Sequence, residues 1–197
     1  MEAIYNPFKR LRGVTALSLG LLMLIALGLA SWAGGVHLDG ALDMHYNPQA
    51  EPSATLVAVE SVVAWLSLAV CLWLAGLLVG SGRRSPLDYL GMTAVARWPY
   101  IPMALLSSKW ALGKFVSRII EVLPDETFRL HPEAAMSPEF LALMLAVMFF
   151  TAWGVTLLVF AFKEASQTTG WRTAVGVIGG LLLAEVVSKL ALAAFLR

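Results

Sequence analysis

Charged side chains are scarce in this chain. Asp, Glu, Lys and Arg make up 14% of its 197 residues, whereas about 25% is usual for a soluble domain. Hydrophobic residues reach 59%, and the mean hydropathy is +0.77. The long apolar runs use most of the length, which leaves no room for a separate soluble domain of about 100 residues. The composition therefore predicts an integral membrane protein with a single transmembrane domain over residues 1–197.

An excess of positive charge is also lacking, as are pairs of cysteines. The net charge of +1 gives no broad basic field, which argues against nucleic acid as a partner. The single cysteine, Cys71, lies inside an apolar run and cannot form an internal disulfide. We expect it to be a small buried hydrophobic residue.

Motifs of catalysis and cofactor binding are missing. The chain has no His-Glu-x-x-His, no Gly-x-Ser-x-Gly and no phosphate-binding Gly-rich loop with Lys, so we predict a protein that is not an enzyme and has no cofactor. His37, Asp39, Asp43 and His45 could be imagined as metal ligands. Their loop offers no helical spacing and no tight ligand pattern of the kind that zinc needs. We expect a solvated loop and no metal site.

The apolar runs predict an all-α fold, a polytopic bundle of five transmembrane helices. Each run has about the 20 residues that a helix needs to cross a bilayer. The predicted spans cover residues 13–33, 55–79, 91–110, 140–162 and 173–196. The first run also resembles a signal peptide, but the apolar core of a signal peptide usually has about 7–15 residues, so we interpret this run as an uncleaved span.

The third predicted span contains two prolines and an arginine, which is an unusual combination in a transmembrane helix. Ser85 and Pro86 form a helix-start signal before it. Inside it, Pro99 and Pro102 lack the N–H groups that would bond to carbonyls one turn earlier, which predicts a kink or local unwinding. Hydrocarbon cannot satisfy those carbonyls or the guanidinium of Arg97, so this span should lie inside the bundle.

Charged residues inside spans form the candidate site. They are Glu60, Arg97, Glu185 and Lys189. Each costs several kcal/mol at membrane depth unless it is paired. Glu185 and Lys189 are four residues apart in the favourable order on one helix face, and Glu60 lies at a depth similar to that of Lys189. Arg97 could reach Glu185, cap a carbonyl that the prolines release, or extend to the interface.

These buried charges have three interpretations, one of which is that they extend to the interface without a specific partner. They can hold the helices together through polar contacts and fix their register, and this is the interpretation that we expect. Alternatively, Glu60 or Glu185 can belong to a proton-coupled or solute-binding site, because carboxylates in membrane helices often act as relays.

The segment 114–123, KFVSRIIEVL, is amphipathic. Its apolar residues recur at helical spacing and its charged residues gather on the other side. This pattern is typical of a helix that lies on the membrane surface. It is equally compatible with a continuation of the third helix, and the sequence leaves both alternatives open.

Positive residues indicate the orientation. Lys9, Arg10 and Arg12 precede the first span, the loop 34–53 has no Lys or Arg, and the pair Arg83-Arg84 follows the second span. Because short cytoplasmic loops carry an excess of Lys and Arg, we predict a cytoplasmic N-terminus and an outer C-terminus in the cytoplasmic (inner) membrane.

Two segments carry a family resemblance. They are RWPYIPMALL, with Tyr100 and Pro102, and the last span, TGWRTAVGVIGGLLLAEVVSKL. Together with a short N-terminus and five closely spaced spans, they resemble the YIP-domain family over about residues 10–196. The family's eukaryotic members interact with Rab GTPases, but the Asp-Leu-Tyr-Gly-Pro motif of those members is absent, so the chain looks like the compact bacterial relatives. The resemblance implies a five-span fold and a membrane location, without site residues.

These features predict a non-enzymatic scaffold or partner-binding protein in membrane organisation. Its partners would be the lipid bilayer and other membrane proteins or a further copy of the chain. The alternative function is a small proton- or solute-coupled transporter or channel subunit that uses the buried carboxylates. An intramembrane enzyme would need a nucleophile beside Glu60 or Glu185, and the sequence shows no obvious one.

Overall fold

The computed structural model describes residues 6–80, 85–122 and 128–195. Arg83 and Arg84, which support the predicted orientation, and residue 196 of the predicted last span lie outside the described residues. The helices, in chain order, are α1 (Gly13–Gly34), α2 (Ala54–Val79), α3 (Pro86–Ala96), α4 (Tyr100–Leu106), α5 (Leu112–Ile119), α6 (Pro132–Ala135), α7 (Pro138–Ser166) and α8 (Trp171–Phe195). The strands form two antiparallel pairs, β1 (Val36–His37) with β2 (His45–Tyr46) and β3 (Ile120–Val122) with β4 (Phe128–Leu130).

Helices α1, α2, α7 and α8 are each long and apolar enough to cross a membrane. They coincide, within a few residues at each end, with four of the predicted spans. Serine side chains cap two of them: Ser53 accepts from the amide of Leu56, and Ser137 accepts from the amide of Phe140. Their outward faces carry exposed Leu, Val and Phe side chains, which is typical of contact with lipid. The chain is therefore an integral membrane protein with lipid as its surroundings.

The third predicted span is two short helices rather than one. A three-residue turn separates α3 from α4. Pro99 and Pro102 cannot donate to the carbonyls of Val95 and Trp98. These carbonyls accept instead from the amides of Trp98 and Ile101, at 3.1 Å in both cases. Bonds of this tighter type are those of a 3₁₀ turn, so the interruption leaves neither of the two carbonyls unpaired.

The amphipathic segment does not continue the third span. Its helix, α5, begins after a run of turns and ends at Ile119, and none of its residues is buried. From Ile120 the chain becomes β3, so residues 120–122 of the predicted helix 114–123 are not helical, and residue 123 lies outside the described residues. The β-branched side chain of Ile120 favours a strand. A position of α5 on the membrane surface stays a prediction.

Small residues allow the helices to approach one another closely. A Cβ atom on Gly20 of α1 would lie 2.4 Å from the Cβ of Ala94 in α3. A Cβ atom on Gly180 of α8 would lie 2.7 Å from Cδ2 of Leu72 in α2. Membrane helices use such residues because dispersion forces at short range drive their association.

Two contacts show how the interrupted segment runs through the bundle. The amide of Gly13 donates to Oδ1 of Asp88 at 2.8 Å, so α3 begins beside the start of α1. The amide of Lys109 donates to the carbonyl of Gly34 at 2.8 Å, so the chain after α4 lies beside the end of α1. Helices α3 and α4 together therefore extend over the same length as α1.

Candidate functional site

The segment 36–46, between α1 and α2, folds back into the bundle, and we call it the inserted loop. Strands β1 and β2 form its base, with His37 opposite His45. Near its tip, Leu38 is 1% exposed and Ala41 is 0% exposed. The expectation of a solvated loop is therefore wrong for Leu38 and Ala41, although the side chains of Asp39, Asp43 and His45 are 41–44% exposed. Non-helical backbone is tolerated at such a place only when protein surrounds it and satisfies its polar groups.

Glu60 of α2 binds the first side of the inserted loop. Its Oε2 accepts a hydrogen bond from the amide of Leu38 at 2.9 Å, and its Oε1 lies 3.0 Å from Nδ1 of His37. The Glu60 side chain is 2% exposed. A carboxylate so deeply buried requires hydrogen bonds of this kind, and the inserted loop supplies them.

Helix α8 binds the tip of the inserted loop. The amide of Leu42 donates to Oε2 of Glu185, and the amide of Ala41 donates to Oγ of Ser188, both at 3.1 Å. Gly40 passes so close to α8 that a Cβ atom there would lie 2.3 Å from Oε1 of Glu185. Only glycine fits at this point without moving the carboxylate.

Lys189 lies at the edge of the same region. Its Nζ is 3.0 Å from Oδ2 of Asp43 and 3.1 Å from Oε1 of Glu185. The pair between Glu185 and Lys189 that the sequence spacing predicts is therefore present. Because Lys189 is 51% exposed, we expect these ion pairs to contribute little to stability.

Arg97 lies in the turn between α3 and α4 and is 2% exposed. Its Nη2 donates to the carbonyl of Ala41, and its guanidinium carbon is 5.6 Å from the ring centroid of Tyr100. Within the described part of the chain, Nε and Nη1 of Arg97 and the hydroxyl of Tyr100 have no hydrogen-bond partner. Arg97 thus caps a carbonyl of the inserted loop rather than one that the prolines release.

The predicted site residues therefore share a neighbour. Glu60, Arg97, Glu185 and Lys189 all bond to the inserted loop, and Glu185 and Lys189 also form an ion pair with each other. The sequence did not predict this role because Asp39 and Asp43 made the loop look solvated. The small and apolar residues between them were the signal that could have indicated burial.

His37 is held between two acceptors. Its Nε2 is 2.9 Å from the carbonyl of Ala50, on the side opposite Glu60. Burial lowers the pKa of His37, but the hydrogen bonds to Ala50 and Glu60 and the negative charges of Glu60 and Asp39 raise it, and its pKa lies above the usual value. The His45 ring stacks on the His37 ring with 5.6 Å between centroids. This environment favours a positive charge.

A cavity of about 430 Å³ opens beside these side chains. It is lined by His37, Asp39, Asp43, Leu56, Glu60, Lys189 and Leu192. One ligand atom from each of His37, Asp39 and Glu60 lies within 4.8 Å of the others. An imidazole with two carboxylates is a donor set that can hold a divalent metal ion. The sequence missed this group because Glu60 comes from α2, outside the loop.

Comparison with known proteins gives no match among family models, curated proteins or solved structures. The functional conclusion therefore depends on the inserted loop and the helices that hold it.

Proposed function

We propose that this chain is a non-enzymatic membrane protein of the five-span, YIP-like kind. It binds a partner through the end of the bundle that holds the inserted loop, which we call the outer end. The partner is another membrane protein or a second copy of the chain. The observation that carries this proposal is the common use of the buried charges. Glu60, Arg97 and Glu185 each bond to the inserted loop, which fixes the shape of the outer end.

The five-span arrangement is supported by the course of α3 and α4. These helices begin beside Gly13 and end beside Gly34, which provides a fifth passage through the bundle besides the four long helices. Glu185 and Ser188 of α8 lie at the end of the bundle that holds the inserted loop. With the basic residues before α1 in the cytoplasm, the inserted loop and the end of α8 face outward from the inner membrane.

Residues that follow α4 also contact the outer end and hold it in place. Nζ of Lys109 is 2.9 Å from Oε1 of Glu51, in the stretch between the inserted loop and α2. The ring of Tyr46 lies within 4 Å of the position that a Cβ atom on Gly35 would take, and it is similarly close to Gly113. A surface that is fixed before it meets a partner loses less conformational entropy on binding.

Site-specific photocrosslinking in native membranes tests the partner-binding role. A photoreactive residue replaces Gln49, which is exposed at the outer end. We expect one discrete protein adduct, and we expect the added substitution Gly40→Val to abolish it, because the new side chain displaces the loop from Glu185. The control replaces Leu78, which is exposed at the other end of α2, and should crosslink mainly to lipid. Absence of a discrete adduct at Gln49 would overturn the proposal.

A second candidate function is transport of protons or a small solute. The observation that favours it is the meeting of two non-helical segments, the inserted loop and the turn at Arg97, beside Glu60 and Glu185. Transporters bind substrates at such discontinuities. Flux through vesicles that contain the protein, with loss on Glu185→Gln, would favour this candidate. Vesicles no more permeable than protein-free ones would favour partner binding.

A further inference from the structure

We propose that His37, Asp39 and Glu60 form a binding site for a divalent transition-metal cation of the Zn²⁺ type. The site lies where the base of the inserted loop meets α2. The site depends only on the ligand atoms and their supporting hydrogen bonds, and not on the partner-binding role.

The spacing of the ligand atoms is close to that of a metal site. Zinc binds nitrogen and carboxylate oxygen at about 2.0–2.2 Å, so ligand atoms around a tetrahedral centre lie roughly 3.4 Å apart. Nδ1 of His37 and Oε1 of Glu60 are 3.0 Å apart, and the ligand atom of Asp39 lies within 4.8 Å of both. The Asp39 side chain is 41% exposed, with Oδ2 3.6 Å from Nδ1 of His45, so it joins the coordination sphere by turning toward His37 and Glu60.

The orientation of His37 is that of a metal ligand. A metal-bound histidine usually donates its second ring N–H to a carbonyl or carboxylate, which fixes the tautomer and the ring. Here Nε2 of His37 is 2.9 Å from the carbonyl of Ala50, a group outside the three ligands. When Nε2 carries this proton, the lone pair of Nδ1 faces the carboxylate of Glu60. Without a metal, a proton on Nδ1 would bridge Nδ1 and Oε1 at 3.0 Å. A bound cation would take the place of that proton.

The Glu60 carboxylate is also fixed by a neighbour that is not a ligand. Its Oε2 accepts from the amide of Leu38, which stands between His37 and Asp39 in the chain. This hydrogen bond therefore holds the ligand-bearing strand against α2 and leaves Oε1 directed at His37. Metal sites depend on such supporting hydrogen bonds for geometry and affinity.

The donor set also indicates the class of cation. An imidazole nitrogen suits zinc, iron, nickel and copper, whereas magnesium and calcium prefer oxygen ligands alone. The two carboxylates balance the charge of a divalent ion. Three protein ligands leave a fourth position open, and the adjoining cavity can supply water there. The nearby ammonium of Lys189 is engaged by Asp43 and Glu185.

Titration of the purified full-length protein tests the site. The protein is treated with a chelator in detergent, and Zn²⁺ is then added during isothermal calorimetry and thermal unfolding. We expect saturable binding of one Zn²⁺ per chain and a rise in Tm, because a cation that binds only the folded state stabilises it. Mg²⁺ at the same concentration should give neither. Co²⁺ should give visible absorption bands typical of a low-coordination site.

A pair of loop variants provides the matched comparison. Asp39→Asn removes a proposed ligand, and we expect the affinity for Zn²⁺ to fall at least about tenfold with loss of the Co²⁺ bands. Asp43→Asn removes a carboxylate that lines the same cavity but lies outside the ligand group, and its affinity should stay close to that of the original chain. Tm without metal shows whether both variants fold.

Three results would overturn the site. The first is the absence of saturable Zn²⁺ binding to the folded original chain. The second is an equal loss of affinity in Asp39→Asn and Asp43→Asn, which would indicate general attraction to negative charge. The third is full affinity in a folded His37→Gln variant, which would show that the imidazole does not bind the ion.

Discussion

Nη2 of Arg97 donates a hydrogen bond to the carbonyl oxygen of Ala41, and this contact joins two interruptions of regular backbone. One is the turn between α3 and α4, and the other is the tip of the inserted loop. Buried backbone groups in a membrane bundle have little access to water and must find partners within the protein. The inserted loop and the break in the third segment therefore support each other.

Replacing Arg97 tests this mutual support. Arg97→Met keeps much of the side-chain length but removes the donor, so the buried carbonyl of Ala41 loses its partner. We expect a loss of about 1–3 kcal/mol in the free energy of unfolding, measured by reversible denaturation in mixed micelles. Arg97→Lys retains one donor group and should lose less. Equal stability of the Met variant and the original chain would show that this hydrogen bond does not hold the loop.

Amide exchange can separate the two carboxylates that anchor the loop. Glu60→Ala removes the acceptor of the Leu38 amide, and Glu185→Ala removes the acceptor of the Leu42 amide. Loss of a hydrogen bond of about 1–3 kcal/mol should speed exchange at the released amide by a factor of roughly 5 to 160. Hydrogen–deuterium exchange with residue resolution measures both amides in each variant.

The control for this experiment is Glu51→Ala, which removes a carboxylate bonded to Lys109 rather than to the inserted loop. Neither the Leu38 amide nor the Leu42 amide should exchange faster in it. If each of Glu60→Ala and Glu185→Ala speeds exchange equally at both amides, the loop detaches as one unit. That result would contradict two independent anchors.

The sequence predicted what depends on neighbouring residues and missed what depends on distant ones. Apolar length is a local property, and it located α1, α2, α7 and α8. The burial of Ala41 depends on Ser188 and Arg97, which come from remote parts of the chain. No local pattern contains that information. The polar pattern of Asp39 and Asp43 instead suggested solvent.

The candidate site shows the same division between local patterns and contacts of distant residues. The spacing of Glu185 and Lys189 predicted their pair, because both residues lie on one helix. The group of His37, Asp39 and Glu60 could not be predicted, since it requires the loop to fold onto α2. At the third segment, the prolines predicted a kink or local unwinding, and the structure has a three-residue turn at residues 97–99. Arg97 of that turn bonds to the inserted loop.

Adjacent glycines of α8 allow a test of close helix packing. A Cβ atom on Gly180 would lie 2.7 Å from Cδ2 of Leu72, whereas a Cβ atom on Gly179 would meet nothing within 4 Å. We expect Gly180→Ala to lower the free energy of unfolding by about 1–3 kcal/mol through overpacking against α2. Gly179→Ala should be neutral or stabilising by up to about 1 kcal/mol, because alanine is the better helix former. Equal effects in denaturation experiments would contradict this packing.

Cysteine labelling tests the number of spans. Cys71 is buried, so Cys71→Ala provides a background for single cysteines at Arg10, Gln49 and Phe195, which are all exposed. If α3 and α4 together cross the membrane, the chain crosses it five times. A maleimide that cannot cross the membrane should then label positions 49 and 195 in intact cells. It should label position 10 only after the membrane is permeabilised.

The comparison between positions 10 and 195 decides the outcome, because an odd number of spans puts these residues on opposite faces of the membrane. If both label from the same face, α3 and α4 do not cross, and the chain has only the four spans of α1, α2, α7 and α8. Position 49 serves as the internal reference, since it follows the inserted loop directly. Its labelling from outside would also place the cavity beside Glu60 on the outer face, where an added cation can reach it without crossing the bilayer.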